Sequence, residues 1–138
     1  SSGVQVSPNC ITAFNDLKLG KKHYYIIYKI SDDQTEIVVE KAVEKSSNQT
    51  FDFFTSELKS DECRWAVLDF DYETTEGPRN KICFITWAPE SAKIRSKMIY
   101  ASSKDSIRKS LPGIGAEIQA TDFDEVSHEA ILEKVTRK

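Results

Sequence analysis

Asp69 and Asp71 come nearest, among residues in this sequence, to the spacing of acid–base machinery. Two apart on an extended segment, they point to one face with Cα atoms about 7 Å apart. Paired carboxylates can divide general-acid and general-base work. Nothing else converges on them. His23 and His128 are the only histidines, and neither has a second His, Cys or carboxylate at metal-ligand spacing. Ser, His and Asp occur without a G-x-S-x-G or any other nucleophile signature. Gly113-Ile114-Gly115 lacks the third glycine and the lysine of the nucleotide-binding loops. Cys10, Cys63 and Cys83 are odd in number and form no C-x-x-C, so structural thiols in a reducing cytosol are expected. Local pairing at a sheet edge accounts better for Asp69 and Asp71. A hydrolase using them is the weaker alternative, and neither an enzyme, a metal nor a cofactor is expected.

The stronger chemical signal is electrostatic. The chain carries a formal net charge of -3, yet the segment 79–109 holds eight basic residues against the acids Glu90 and Asp105. On an ideal helix Lys93, Lys97, Lys104 and Arg108 fall within roughly 60° of one another. Solvated helix faces usually interleave acids at i+4, and this stripe has almost none, so an acidic partner is the expected ligand. Nucleic acid fits poorly. The chain is net acidic, no recognised motif is present, and the aromatics sit in apolar runs rather than on a stacking platform.

These residues need elements to position them. With 138 residues, 39% of them hydrophobic and 30% charged, the chain suits one domain spanning 1–138. Residues 1–6 are too short and polar to open a signal peptide and are expected to be a flexible segment. No apolar run approaches the roughly 20 residues that span a bilayer. Ser7-Pro8 reads as an N-cap and first helical position, opening a helix over about 8–17 that Gly20 ends. The runs 23–30 (HYYIIYKI) and 35–43 (TEIVVEKAV) predict a hairpin around the turn 31–34, the first strand buried on both faces. A short amphipathic helix is expected over 51–58. Two more strands are expected over 65–72 and 82–87, with Gly77-Pro78 in the loop between them. A long helix should run from about Ser91 to Lys109, where Pro112-Gly113 stops it. Its apolar residues Ile94 and Met98 are out of phase with Ile107 and Leu111, which predicts a kink near Ala101-Ser102-Ser103. A last strand over 117–120 and a helix after Asp122 or Ser127, with Ile131, Leu132 and Val135 on one side, complete an α+β chain. Its core is a mixed sheet of about five strands.

The order of motifs resembles the cofilin, or actin-depolymerising-factor, family. The resemblance is carried by Ser2-Gly3-Val4, by 14–20 (FNDLKLG), by 35–39 (TEIVV) and by 61–64 (DECR). It continues through Asn80-Lys81-Ile82, Trp87-Ala88-Pro89 and above all 95–105 (RSKMIYASSKD), then 119–122 (QATD) and 132–135 (LEKV). It covers the whole chain in order and looks fungal or amoebal. Trp65 stands where a Tyr is common, Glu57-Leu58-Lys59 lacks the usual proline after leucine, and Lys109 is Arg in many relatives.

The resemblance implies the actin-depolymerising-factor homology fold, a sheet sandwiched by helices. It implies a monomeric, non-enzymatic protein that binds actin monomers and filaments, prefers ADP-bound subunits, and promotes severing and depolymerisation. It also implies a place at the cytoplasmic actin cytoskeleton, at cortex and patches, and in the nucleus. A surface for both monomer and filament would comprise Ser2, Gly3, Val4, Arg95, Lys97, Met98, Lys104, Asp105, Arg108 and Lys109, with Met98 as an apolar anchor. A filament-only surface would comprise Arg79, Lys81, Glu133, Lys134 and Arg137. Ser2 would be a phosphorylation switch, since a phosphate adds about -1.5 to -2 charge facing acidic actin. The basic stripe would also take phosphoinositide lipids. The alternatives are a monomer- or branch-junction-binding relative that does not sever, and a lipid-binding module.

Overall fold

The computed structural model describes residues 4–45 and 51–137. The elements follow as β1 (Gln5–Val6), α1 (Pro8–Lys18), β2 (His23–Ile30), β3 (Glu36–Glu44), α2 (Phe51–Ser56), β4 (Arg64–Thr74), β5 (Gly77–Trp87), α3 (Ile94–Lys109) and β6 (Ala116–Ala120). A short 3₁₀ turn (Phe123–Val126) and α4 (His128–Thr136) close the chain. The sheet has six strands in the order β1-β3-β2-β4-β5-β6. The four inner strands are antiparallel, and β1 and β6 are parallel to their neighbours. The sixth strand is Gln5–Val6, expected to lie in a flexible segment. It pairs with Glu36 and Ile37 of β3, a contact that no local pattern announces.

Alternation of side chains splits the core in two. Ile26, Tyr28, Trp65, Val67 and Phe84 face α1 and α3. Tyr25, Ile27, Leu68, Phe70, Ile85 and Trp87 face α2 and α4. Both faces are covered, which is why the strands read as nearly continuous apolar runs. Caps set the helix starts. Ser7 Oγ accepts from the Asn9 amide, and Ser127 Oγ accepts from the Ala130 amide. Asp122 Oδ1 accepts from the Glu125 amide, so both expected starts of the last helical segment are used. α2 stops at Ser56, because Glu57 and Leu58 fall into i→i−3 bonds to Phe54 and Thr55.

Two expectations change. Gly77 and Pro78 are not loop residues; they pair with Thr74 and Glu73 and open β5. The turn is Thr75-Glu76 alone, and Gly77, at φ 113°, supplies a backbone angle that other residues resist. Pro78 is tolerated because β6 flanks β5 only from Cys83 onward. The long helix begins at Ile94, after a turn in which the Ala92 amide donates to Pro89, and it runs unbroken to Lys109. Its inward face is Tyr100, Ser103 and Ile107, with Leu111 beyond its end. Ile94 and Met98 are not core residues at all, so the phase shift read as a kink is a change of face.

Tyr100 docks α3. Its ring packs on Trp65 with centroids 4.6 Å apart, and its hydroxyl accepts from the Ile30 amide at 3.0 Å. Nearby, the buried Arg64 donates to Glu40 at 2.8 Å and to Glu62 at 3.1 Å. Burial disfavours the charged guanidinium, but Glu40, with help from Tyr100 and Glu62, outweighs this and raises its pKa. Reciprocally, Arg64 holds the Glu40 carboxyl below its ordinary 4.5.

Tyr100→Phe leaves the buried Ile30 amide unpaired and should cost about 1 to 3 kcal/mol in urea unfolding, with the denaturant slope unchanged. The Glu40 stabilisation is complete above the ordinary pKa and is lost as pH falls through the depressed one. The stability gap between wild type and Glu40→Gln should therefore be widest near neutrality and shrink below pH 4.5.

Candidate functional site

Docking through Tyr100 and Ile107 turns the opposite side of α3 to solvent. Ile94 and Met98, one turn apart, are 74% and 67% exposed, and with Ile99 and Ser102 they line an apolar notch. The core does not use these side chains, so this helix turn is a candidate contact surface. Arg95 lines the same notch, while Asp105 and Lys109 lie about two and three turns further along α3; among the described residues the side chains of all three make no hydrogen bond or ion pair. Beside the N-terminal end of α3 lies a groove of about 730 Å³ lined by Lys29, Asp32, Glu62, Arg64, Arg95 and Tyr100.

The rest of the basic stripe lies beside the sheet, and it is not short of acceptors. Lys97 Nζ donates to the Glu90 carbonyl at 2.8 Å. Lys104 and Arg108 both meet Glu117 of β6, at 3.1 and 2.7 Å. Ile118 and Ala120 point into the core under α4, so Glu117 and Gln119 point toward α3. The missing acid of the stripe thus comes from another strand, where no helical spacing could reveal it. Arg108, and after it Lys104, hold the Glu117 carboxyl below its ordinary range.

Val4, expected to contact a partner, is only 6% exposed and belongs to the same core cluster as Tyr100 and Ile107. Its side chain anchors the N-terminal strand beside α3 instead. Ser2 and Gly3 lie outside the described residues. Ile94 is absent from the expected contact set, although its i, i+4 spacing from the anchor Met98 is the signal that places both on one exposed face.

The second expected group is brought together elsewhere. Arg79 and Lys81 share the strand face of Cys83, toward α4. Lys81 Nζ donates to the Val135 carbonyl at 2.7 Å, capping the last turn of α4 with positive charge. Arg79 pairs with Glu76 at 3.2 Å, and Arg137 with Glu133 at 2.7 Å. Lys134 is exposed, and its side chain makes no hydrogen bond or ion pair among the described residues.

Of the two aspartates weighed for catalysis, one is taken up structurally. Asp69 is fully buried; it accepts from Asn80 Nδ2 at 2.8 Å and meets Lys45 Nζ at 2.7 Å. Asp71 is exposed. His128 packs against the rings of Phe51 and Phe70, and His23 Nε2 lies 4.0 Å from Asp16. All three cysteines are buried free thiols; burial pushes Cys10 up to about 11 and Cys83 up to about 12, so neither is a ready nucleophile. Among the described residues no three His, Cys, Asp or Glu side chains gather at metal-binding distance, and no helix is long and apolar enough to cross a membrane.

Residues 3–136 match the family described as cofilin/tropomyosin-type actin-binding protein. The chain belongs to that family. It is 55% identical to a cofilin of Schizosaccharomyces pombe over 137 residues, covering 99% of this chain and 98% of the relative. Its fold matches the crystal structure of a Streptomyces griseoflavus cofilin with TM-score 0.91 and 50% identity, over 98% of each chain. It matches Plasmodium berghei actin depolymerization factor 2 with TM-score 0.88 and 35% identity, over 99% of each. The mixed sheet with helices on both faces is thus the fold of the cofilin family.

The Lys81 contact offers a local test of the second group. Lys81→Met keeps the aliphatic stem and removes the donor to α4. It should cost about 1 kcal/mol and speed amide exchange in the last turn of α4, while the exchange of α3 stays unchanged.

Proposed function

We propose that this protein binds actin monomers and filaments and promotes filament severing and depolymerisation. The observation that carries the reading is the exposed Ile94–Met98 ridge of α3, flanked by the unpaired Arg95. An apolar anchor supplies affinity, and surrounding charges set encounter rate and specificity. The ridge docks on one actin subunit, with Arg95, Lys97, Met98, Lys104, Asp105, Arg108 and Lys109 as its contact set. Ser2 and Gly3 join that set at the N-terminus. Arg79, Lys81, Glu133, Lys134 and Arg137 face the adjacent subunit of a filament. That Lys81 ties β5 to α4 supports treating them as one surface.

A ligand shifts an equilibrium only by its differential affinity for the two states. Binding across two subunits favours the filament geometry that satisfies both surfaces, here a twisted filament of ADP-bound subunits. Boundaries between decorated and bare stretches then become sites of breakage. The action is binding rather than turnover, and it belongs at cytoplasmic actin. A phosphate on Ser2 would weaken docking by repulsion, and phosphoinositides would compete for the free cations Lys93 and Arg95.

Filament co-sedimentation and monomer titration test the reading. The wild-type protein should bind in both assays. Ile94→Asp with Met98→Asp should weaken both by at least about tenfold, with the melting temperature unchanged because both side chains are exposed. Arg79→Glu should weaken filament binding and spare monomer binding; equal losses would refute the division into two surfaces. A wild-type protein that pellets with no filaments would overturn the reading altogether.

A further inference from the structure

Lys104 and Arg108 are held by one carboxylate that is not on their helix. Glu117 Oε1 accepts from Arg108 Nε at 2.7 Å, and Oε2 faces Lys104 Nζ at 3.1 Å. Gln119 Oε1 adds a longer contact to Lys104 at 3.4 Å, and Arg108 Nη1 reaches the Leu111 carbonyl at 3.4 Å. Two cationic heads are thereby fixed over β6 by a single anion, leaving one net positive charge. The fold has little need of this cluster. The Glu117 side chain is 42% exposed, and exposed ion pairs contribute little to stability. α3 is already docked by Tyr100 and Ile107, and β6 by its pairing with β5.

What the carboxylate does is restrict two long side chains and cancel half of their charge. These effects pull apart for different ligands. A protein surface offers acids at discrete points, so a cation already ordered loses less freedom on pairing. A bilayer offers a diffuse anionic layer that responds to total charge and is indifferent to orientation. Glu117 therefore favours the first ligand on one count and penalises the second on the other.

We propose that Glu117 is a positioning and specificity-determining residue of the α3 surface, aiming Lys104 and Arg108 at discrete carboxylates of actin while reducing the attraction of that surface for anionic membranes. This deepens the actin-binding reading and rests on it.

The test compares the full chain with Glu117→Gln and Glu117→Asp. Monomer affinity is read by fluorescence titration of labelled actin, and lipid binding by sedimentation with phosphatidylserine-containing vesicles. Glu117→Gln should bind actin monomers about threefold more weakly, although the protein has become more positive. It should bind the vesicles about fivefold more tightly, the gain of one cation at the surface. Glu117→Asp keeps the charge but shortens the reach, so vesicle binding should stay at the wild-type level while actin binding weakens. Tighter or unchanged actin binding by Glu117→Gln would overturn the proposal, as would unchanged vesicle binding. Loss of both together with a lowered melting temperature would reduce Glu117 to a structural role. Wild-type protein that leaves actin monomers unbound would instead overturn the functional reading, an outcome distinct from equal binding by wild type and variants.

Discussion

The arrangement of this surface depends on how α3 is seated, and Tyr100 seats it. The ring lies on Trp65 in the middle of the sheet, and the hydroxyl satisfies the last amide of β2. A buried amide without a partner is costly, so the helix has one favourable rotation about its axis. That rotation puts Ser103 and Ile107 inward and leaves Ile94 and Met98 outward. The same seating brings Lys104 and Arg108 over β6, within reach of Glu117. A helix turned by about half a revolution would bury the ridge and strand the cations, so one contact decides both the apolar and the charged character of the surface.

Much of the fold was legible because it is written in local patterns. Ser7-Pro8 starts α1, the run 23–30 is a strand covered on both faces, and Pro112-Gly113 lies just past the end of α3. What escaped was non-local. Gln5–Val6 has no strand signal of its own and becomes β1 only because β3 offers an edge. Gly77-Pro78 carries the strongest turn chemistry in its region, yet the turn sits two residues earlier and the glycine serves the first pair of β5.

The site was legible in part, and the gaps share a cause. The basic stripe is visible in the sequence, but its balance of charge is not, because Glu117 lies beyond the helix and returns on a parallel strand. Ile94 looks like a core residue by type, and the seating of Tyr100 identifies it as the exposed neighbour of Met98. Val4 fits a family motif at the N-terminus, yet its side chain is in the core. Residue type and order pointed to α3, while packing decided which of its faces is exposed.

The β4–β5 pairing continues beyond its neighbours in the sheet. β2 accompanies β4 only from Trp65 to Leu68, and β6 accompanies β5 only from Cys83 to Trp87, yet the two strands stay paired out to Thr74 and Gly77. A two-stranded ribbon alone is marginally stable. This one is clamped at its root, by Asp69 to Lys45 on one side and by Lys81 to the end of α4 on the other, while Asn80 ties its two strands together at Asp69. Mechanically it is a cantilever, an arm with Arg79 near its free end. A push on that end is carried as torque to the root and shared with the C-terminal helix through Lys81.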